Sequence, residues 1–174
     1  MLNEGLEVLG IEDQSLDQSV FYGVFQESGL ERVKLPSTLM VIEKQTFMGC
    51  GSLRSVQFPD GLTEIGLRAF RASGLESVET PLSMRIIRQS AFCECPSLRR
   101  ATLNEGLEVL GTDEFLLNDI FVERYHGVFG YSSLERIELP STLKKIERGA
   151  FESCENLRSI NLPDRLEHIG EKCF

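Results

Sequence analysis

The 174-residue chain contains no tryptophan and two histidines, and no apolar run approaching the ~20 residues of a membrane-spanning helix. Few histidines leave few routes to acid–base or metal chemistry. Catalysis requires a convergent set, such as Ser with His and Asp or two facing carboxylates. Zinc requires four converging nitrogen or sulfur ligands. His168 occupies a position that other repeats fill with Glu64 or Lys145, which reads as exposed surface, and no partner for His126 is identifiable. Walker A, GxGxxG and HExxH patterns are absent. These absences point to a protein that is not an enzyme, with no catalytic residue, no cofactor and no metal site. Positive charge is also short: 18 Lys and Arg stand against 27 Asp and Glu, a formal net charge of −9. A general binder of nucleic acid or of anionic membranes leans the other way. Five cysteines, an odd number without close pairing, argue against a disulfide framework. No signal peptide is visible in residues 1–10, where a basic region followed by an apolar run is lacking.

What is present is a folded composition, 41% apolar and 26% charged, with 11 phenylalanines as the dominant aromatic. The phenylalanines are periodic. From Leu30 the chain reads LERVKLPSTLMVIEKQTFMGCGS, then LRSVQFPDGLTEIGLRAFRASG, then LESVETPLSMRIIRQSAFCECPS. The pattern LxxVxLPxxLxxIxxxxFxxC returns every 22 or 23 residues, and again from Leu134 and Leu157. Phe25, Phe47, Phe70, Phe92, Phe129, Phe151 and Phe174 end the successive units. A longer period lies above this one, because Phe25 and Phe129, Phe47 and Phe151, and Phe70 and Phe174 are each 104 residues apart. LNEGLEVLG at 2–10 recurs unchanged at 103–111. We therefore expect one solenoid over residues 1–174, with about seven rungs and a four-rung super-repeat. Polar capping units, which solenoids carry at their ends, are not evident, so the chain reads as part of a longer array.

One rung is too small to bury its own apolar face, so neighbours must stack. The LxxVxL segment suits a short strand, and stacking in register makes a parallel sheet with ~4.8 Å between rungs. Pro36, Pro59, Pro81, Pro140 and Pro163 follow these strands and end them, since proline cannot continue the ladder. The pair typified by Leu39 and Ile42 predicts a second extended segment, and the phenylalanine then plugs the core from a short turn or single helical turn. Leu35, Phe58, Leu103, Leu139 and Leu162 are expected to point into one continuous core. Cys50, Cys95 and Cys154, each three residues after a phenylalanine with Ser73 at the same place, read as a core ladder of free thiols.

These residues resemble the BspA-like (Treponema-type) class of leucine-rich repeats, and AFRAS, AFCEC and AFESC match its Ala-Phe–Cys turn. The resemblance covers essentially the whole chain outside two insertions. It implies a leucine-rich-repeat solenoid that acts as a surface or secreted binding and adhesion module.

Where, then, does a partner bind? The outward strand positions form two polar rows: Arg32, Ser55, Ser77, Arg100, Arg136 and Ser159, beside Lys34, Gln57, Glu79, Thr102, Glu138 and Asn161. An ordinary solvated face is the simpler reading of these rows; Arg68, Arg71, Arg85, Arg88, Arg99 and Arg100 fall in adjacent rungs and predict at most a local basic patch. The insertions are the stronger lead: 16 residues separate Leu9 from Phe25 and 19 separate Leu110 from Phe129, against five in most rungs. They carry IEDQSLDQSVFYG (11–23) and TDEFLLNDIFVERYHG (112–127), and loops longer than a repeat requires often carry binding. Four rungs at ~4.8 Å put their roots ~19 Å apart. The expectation is a saddle with Phe21 and Tyr22 on one wall and Phe121, Tyr125 and His126 on the other, with Phe115 of the second insertion as a further partner-binding candidate. A protein or glycan partner would meet this saddle and the sheet-face residues Arg32, Lys34, Arg100 and Arg136. The competing expectation is a spacer, or a scaffold that self-associates end to end or edge to edge; neither involves nucleic acid or membrane insertion.

Overall fold

The structure, a computed structural model, describes residues 23–111 and 126–174 together with the backbone of Val8–Leu9. The first apolar segment of each rung forms a three-residue strand: β2 (Arg32–Lys34), β4 (Ser55–Gln57), β6 (Ser77–Glu79), β8 (Arg100–Thr102) and β10 (Arg136–Glu138). Strand residues alternate between faces, so Val33, Val56, Val78, Ala101 and Ile137 turn toward the core while their neighbours face out. The second segment forms a two-residue strand: β1 (Val8–Leu9), β3 (Val41–Ile42), β5 (Glu64–Ile65), β7 (Ile86–Ile87), β9 (Val109–Leu110), β11 (Lys145–Ile146) and β12 (His168–Ile169). All pairings are parallel and advance one rung at a time.

The chain is thus a parallel β-solenoid, as the repeat predicted, but the weight of its sheets is distributed differently. The second segment carries one continuous seven-stranded sheet, β1-β3-β5-β7-β9-β11-β12. The first divides into β2-β4 and β6-β8-β10, and residues 157–162 of the last rung form no strand. Ile42, Ile65, Ile87, Leu110 and Ile146 are fully buried, which holds the second segment at one depth in these five rungs, whereas Ile169 of the last rung is 44% exposed.

Proline has two roles here. Besides ending the strand, its carbonyl accepts the N–H three residues on: Pro36 from Leu39, Pro59 from Leu62, Pro81 from Met84, Pro140 from Leu143 and Pro163 from Leu166, at 3.0–3.2 Å. Each β-turn swings a large apolar side chain back into the core. In the LNEGL rung Asn104 stands where proline would. Its N–H donates to Thr80 Oγ1 at 2.9 Å and its amide to the Thr80 carbonyl. On the other side, Glu105 accepts the Ser141 N–H at 2.9 Å, the Ser141 hydroxyl at 3.2 Å and the Thr142 N–H at 3.2 Å. These donors, led by the Ser141 N–H, hold the Glu105 carboxyl below the usual carboxylate range. Side-chain bonds to both neighbouring rungs replace the missing proline.

The phenylalanines form a single stack. Successive ring centroids from Phe25 to Phe174 lie 5.1–5.9 Å apart with interplanar angles of 2–18°. Phe92 and Phe129 are neighbours at 5.5 Å although the 112–125 insertion separates them in sequence. Their backbones ladder as well: each phenylalanine from Phe25 to Phe151 donates its N–H to a carbonyl of the next rung at 2.8–2.9 Å.

Leu35 and Leu103 are buried, and Phe58 and Leu139 are half-buried against the same core. Leu162 departs from expectation: it is 42% exposed, because nothing in the described chain stacks on the outer side of the last rung. No helix among the described residues is long and apolar enough to cross a membrane.

Candidate partner-binding surfaces

The out-facing side chains of β2, β4, β6, β8 and β10 are held at strand spacing by a backbone whose core residues cannot shift independently. In register, Arg32 adjoins Ser55 and Lys34 adjoins Gln57. Ser77, Arg100 and Arg136 lie side by side on consecutive strands, as do Glu79, Thr102 and Glu138. Arg32, Lys34, Arg100 and Arg136 are all exposed. The fold brings Arg100 and Arg136 together, and keeps Arg32 and Lys34 apart from them across the rungs of Ser55 and Ser77.

The predicted basic patch does not form. Arg71 makes a bidentate pair with Glu94 at 2.7 Å, and Arg88 pairs with Glu64. Arg99 reaches Glu135 at 3.6 Å, and Arg85 donates to the carbonyls of Leu82 and Met84 at 3.0 Å. These positions lie on different parts of the rung: Arg71 in the phenylalanine turn, Arg88 beside the second strand, and Arg99 and Arg100 at the first. Adjacent rungs do not bring different rung positions together.

His126, which has no partner legible in sequence, has three in the structure. Its Nε2 lies 4.0 Å from Glu94 Oε1, its Nδ1 lies 3.8 Å from Glu152 Oε2, and its ring meets the edge of Tyr131 at 4.5 Å. Ser90 also donates its hydroxyl to the His126 carbonyl. The Arg71–Glu94–His126–Glu152 chain therefore runs across four rungs at the turn where the second insertion rejoins the solenoid. Tyr131 stands 46% exposed beside it. Sequence reading missed Glu94, Tyr131 and Glu152; their shared place one or two residues after a phenylalanine was the available signal. Of the other predicted binding residues, Phe21, Tyr22, Phe115, Phe121 and Tyr125 lie outside the described residues.

The cysteines are packed inside the protein. The position three after each phenylalanine alternates strictly: Ser28, Cys50, Ser73, Cys95, Ser132, Cys154. Each thiol donates to a phenylalanine carbonyl one rung back, Cys50 to Phe25 at 3.0 Å, Cys95 to Phe70 at 3.2 Å and Cys154 to Phe129 at 3.1 Å. Each also touches the preceding serine hydroxyl at 3.4–3.6 Å. Alternation places ladder cysteines two rungs, ~10 Å, apart, beyond disulfide reach. All five cysteines are free and buried. Burial pushes the Cys95 thiol from 9.0 up to about 11, and burial with the neighbouring Glu94 pushes Cys93 to about 12. Neutral thiols are poor nucleophiles and poor metal ligands. Among the described residues no group of three or more His, Cys, Asp or Glu converges to hold a metal ion.

Comparison with known proteins agrees with this geometry. The model of the BspA type leucine rich repeat region matches residues 18–120 and 123–174 in six copies. A leucine-rich repeat protein of T. pallidum, of known structure, is 29% identical; the match covers 94% of this chain and 72% of that one, with a TM-score of 0.69. A leucine-rich repeat protein from Eubacterium ventriosum ATCC 27560, 20% identical, shares the fold with a TM-score of 0.59 over 82% of this chain and 42% of its own. Curated proteins yielded no significant match.

Proposed function

Because the chain belongs to the BspA-type leucine-rich-repeat family, whose modules generally mediate protein interactions or serve as scaffolds, we propose that it is a non-catalytic module that binds a protein or glycan partner through its sheet face. The observation that carries this reading is the row formed by Ser77, Arg100 and Arg136. Two exposed guanidiniums stand on adjacent strands, where like charges directly opposite destabilise a sheet. A pair that costs stability at home gains a reason in a partner that neutralises it, and guanidiniums suit carboxylate recognition. The insertions 11–23 and 112–127 belong to the same proposal as further binding elements.

The test is selection of binders from displayed peptide and glycan libraries on the immobilised chain, followed by the double substitution Arg100→Glu, Arg136→Glu. We expect selected binders to weaken at least about tenfold, the scale of losing charge complementarity, with an unchanged thermal midpoint. Binders indifferent to this change would remove the sheet face from the proposal. The companion substitutions Tyr22→Ala and Tyr125→Ala ask the same of the insertions, with retained binding by both variants counting against them.

A further inference from the structure

One further row of charge borders the sheet face. The residue that follows each rung's leading leucine is Glu31, Arg54, Glu76, Arg99, Glu135 and Arg158 in successive rungs, alternating in sign without exception, and all six are exposed. Within one molecule this alternation sets opposite charges at one rung spacing, and Arg99–Glu135 closes to 3.6 Å. That local benefit accounts for the border row alone. It does not account for the next row, where Arg100 and Arg136 are neighbours of like charge.

Reversing the order of the rungs accounts for both. Opposed to its own reverse, the border row pairs Glu31 with Arg158, Arg54 with Glu135 and Glu76 with Arg99. The second row pairs Arg32 with Ser159, Ser55 with Arg136 and Ser77 with Arg100. The third pairs Lys34 with Asn161, Gln57 with Glu138 and Glu79 with Thr102. No like charges meet in any of the three rows, and every border residue meets its opposite. Taken together these rows hold seven bases and five acids, so the face is locally positive in a chain of net charge −9 and is spared the general repulsion between copies.

We propose that this face pairs with a second copy of the chain, antiparallel in rung order, about a two-fold axis that runs along the strands between β6 and β8. This rests on the sheet face being an interaction surface and names one partner for it. A two-fold contact is self-complementary by construction, and a row that alternates in sign meets this condition about an axis lying between two adjacent rungs. Turning the axis along the solenoid instead would oppose residues of the same rung: border to border, Glu to Glu and Arg to Arg, or border to third row, where Glu76 meets Glu79 and Glu135 meets Glu138. The footprint is small for a stable interface and its ion pairs are of the weak exposed kind, so the dimer is a concentration-dependent one that salt dissolves.

Sedimentation equilibrium of the 174-residue chain up to about 1 mM, with Glu76→Arg and Arg99→Glu variants, tests the proposal. The parent should dimerise, and raising salt from about 50 to 500 mM should weaken the dimer about tenfold or more. Each single variant opposes like charges twice across the axis and should be monomeric. An equimolar mixture of the two variants restores both opposed pairs and should recover a dimer. A parent that remains monomeric at 1 mM, or variants that dimerise as well as the parent, would overturn it. The second result would move the contact off this face, to a surface such as the end of the stack where Phe174 and Leu162 are exposed. Arg100 and Arg136 face serines in this arrangement and belong to none of its opposed ion pairs, so dimerisation is read on Glu76 and Arg99 and partner binding on Arg100 and Arg136, and the two proposals fail separately.

Discussion

Rungs that run straight through and rungs that return from an insertion reach the same phenylalanine stack by different backbones. In the straight rungs, the residue two before the phenylalanine is left-handed: Gln45 (φ 60°), Arg68 (56°), Ser90 (57°), Gly149 (66°) and Lys172 (51°). In the two return rungs that position is Gly23 and Gly127, and neither is left-handed. A Cβ on Gly23 would lie 1.9 Å from the Gln45 carbonyl oxygen, and one on Gly127 would lie 1.9 Å from that of Gly149. Chain arriving from within the stack turns its side chain away by adopting the left-handed conformation, at ~1–2 kcal/mol per residue. Chain arriving from an insertion leaves no room for a side chain at all. Beyond the phenylalanine the two kinds of rung agree again, since Glu27, Gly49, Ala72, Glu94, Tyr131 and Ser153 are all left-handed. The stack dictates where the ring and the next carbonyl must sit, and the approach path decides which residue meets that demand.

The largest effect tests whether the stack treats both kinds of rung alike. Phe70→Ala in a straight rung and Phe129→Ala in a return rung should each cost about 3–5 kcal/mol in urea unfolding, the scale of a buried phenylalanine. Both are fully buried. A cost below about 1 kcal/mol at Phe129 alone would mean that the return rung is not part of the same core. The difference between the backbones is sharpened by the facing pair Gly127 and Gly149. Gly127→Ala should cost roughly 2–3 kcal/mol, because a carbonyl must move, and Gly149→Ala only about 1 kcal/mol of left-handed strain. Equal losses would erase the distinction.

A third contrast is chemical and follows the ladder's alternation, not the kind of rung. Cys93 and Cys95 belong to a straight rung, whereas the ladder position is serine in both return rungs, Ser28 and Ser132, and in the straight rung of Ser73. Burial raises both thiols above the unfolded value of 9.0, to about 12 and about 11. The neutral form is therefore the one favoured by folding. Its stabilisation is complete below pH 9 and lost as pH rises through 9 toward 11–12. Stability should fall by up to about 1.4 kcal/mol per thiol for each pH unit in this window, and Cys95→Ser should flatten the fall. Unchanged pH dependence in that variant would show that other groups cause it. The smallest effect is a gain. Ser153→Gly, at an exposed left-handed residue (φ 55°), should add about 0.5 kcal/mol, as relief of strain slightly exceeds the added freedom of the unfolded chain. A loss at this site would mean that the serine makes a contact worth more than the strain.

Much of this architecture was legible beforehand because it repeats. Phe92 and Phe129 were placed in one column by counting alone, and the structure stacks them. The alternation of Ser28, Cys50, Ser73 and Cys95 was legible too, since the interval from phenylalanine to the next rung's leading leucine alternates between five and six residues; attention to one average period hid it. The candidate site was less legible. Arg71 and Arg88 looked like members of a patch because their rungs adjoin, yet each pairs with an acid, Glu94 and Glu64, contributed by a neighbouring rung. His126 gained its neighbours Glu94 and Glu152 from rungs on either side, 32 and 26 residues away by the numbering.

Sequence alone determined the rung length, the identity of the core and the heights at which proline and phenylalanine turn the chain. Those requirements are local to a rung and recur in every one, so periodicity reports them directly. Only the tertiary structure decided which turn residues become left-handed, where a glycine is indispensable, and which charges stand beside which. Gln45, Arg68 and Ser90 have no shared propensity for positive φ; what they share is their place in the stack, two residues before a phenylalanine. Such constraints come from backbone some 22 residues away in sequence and ~4.8 Å away in space, and a pattern within one rung does not contain them.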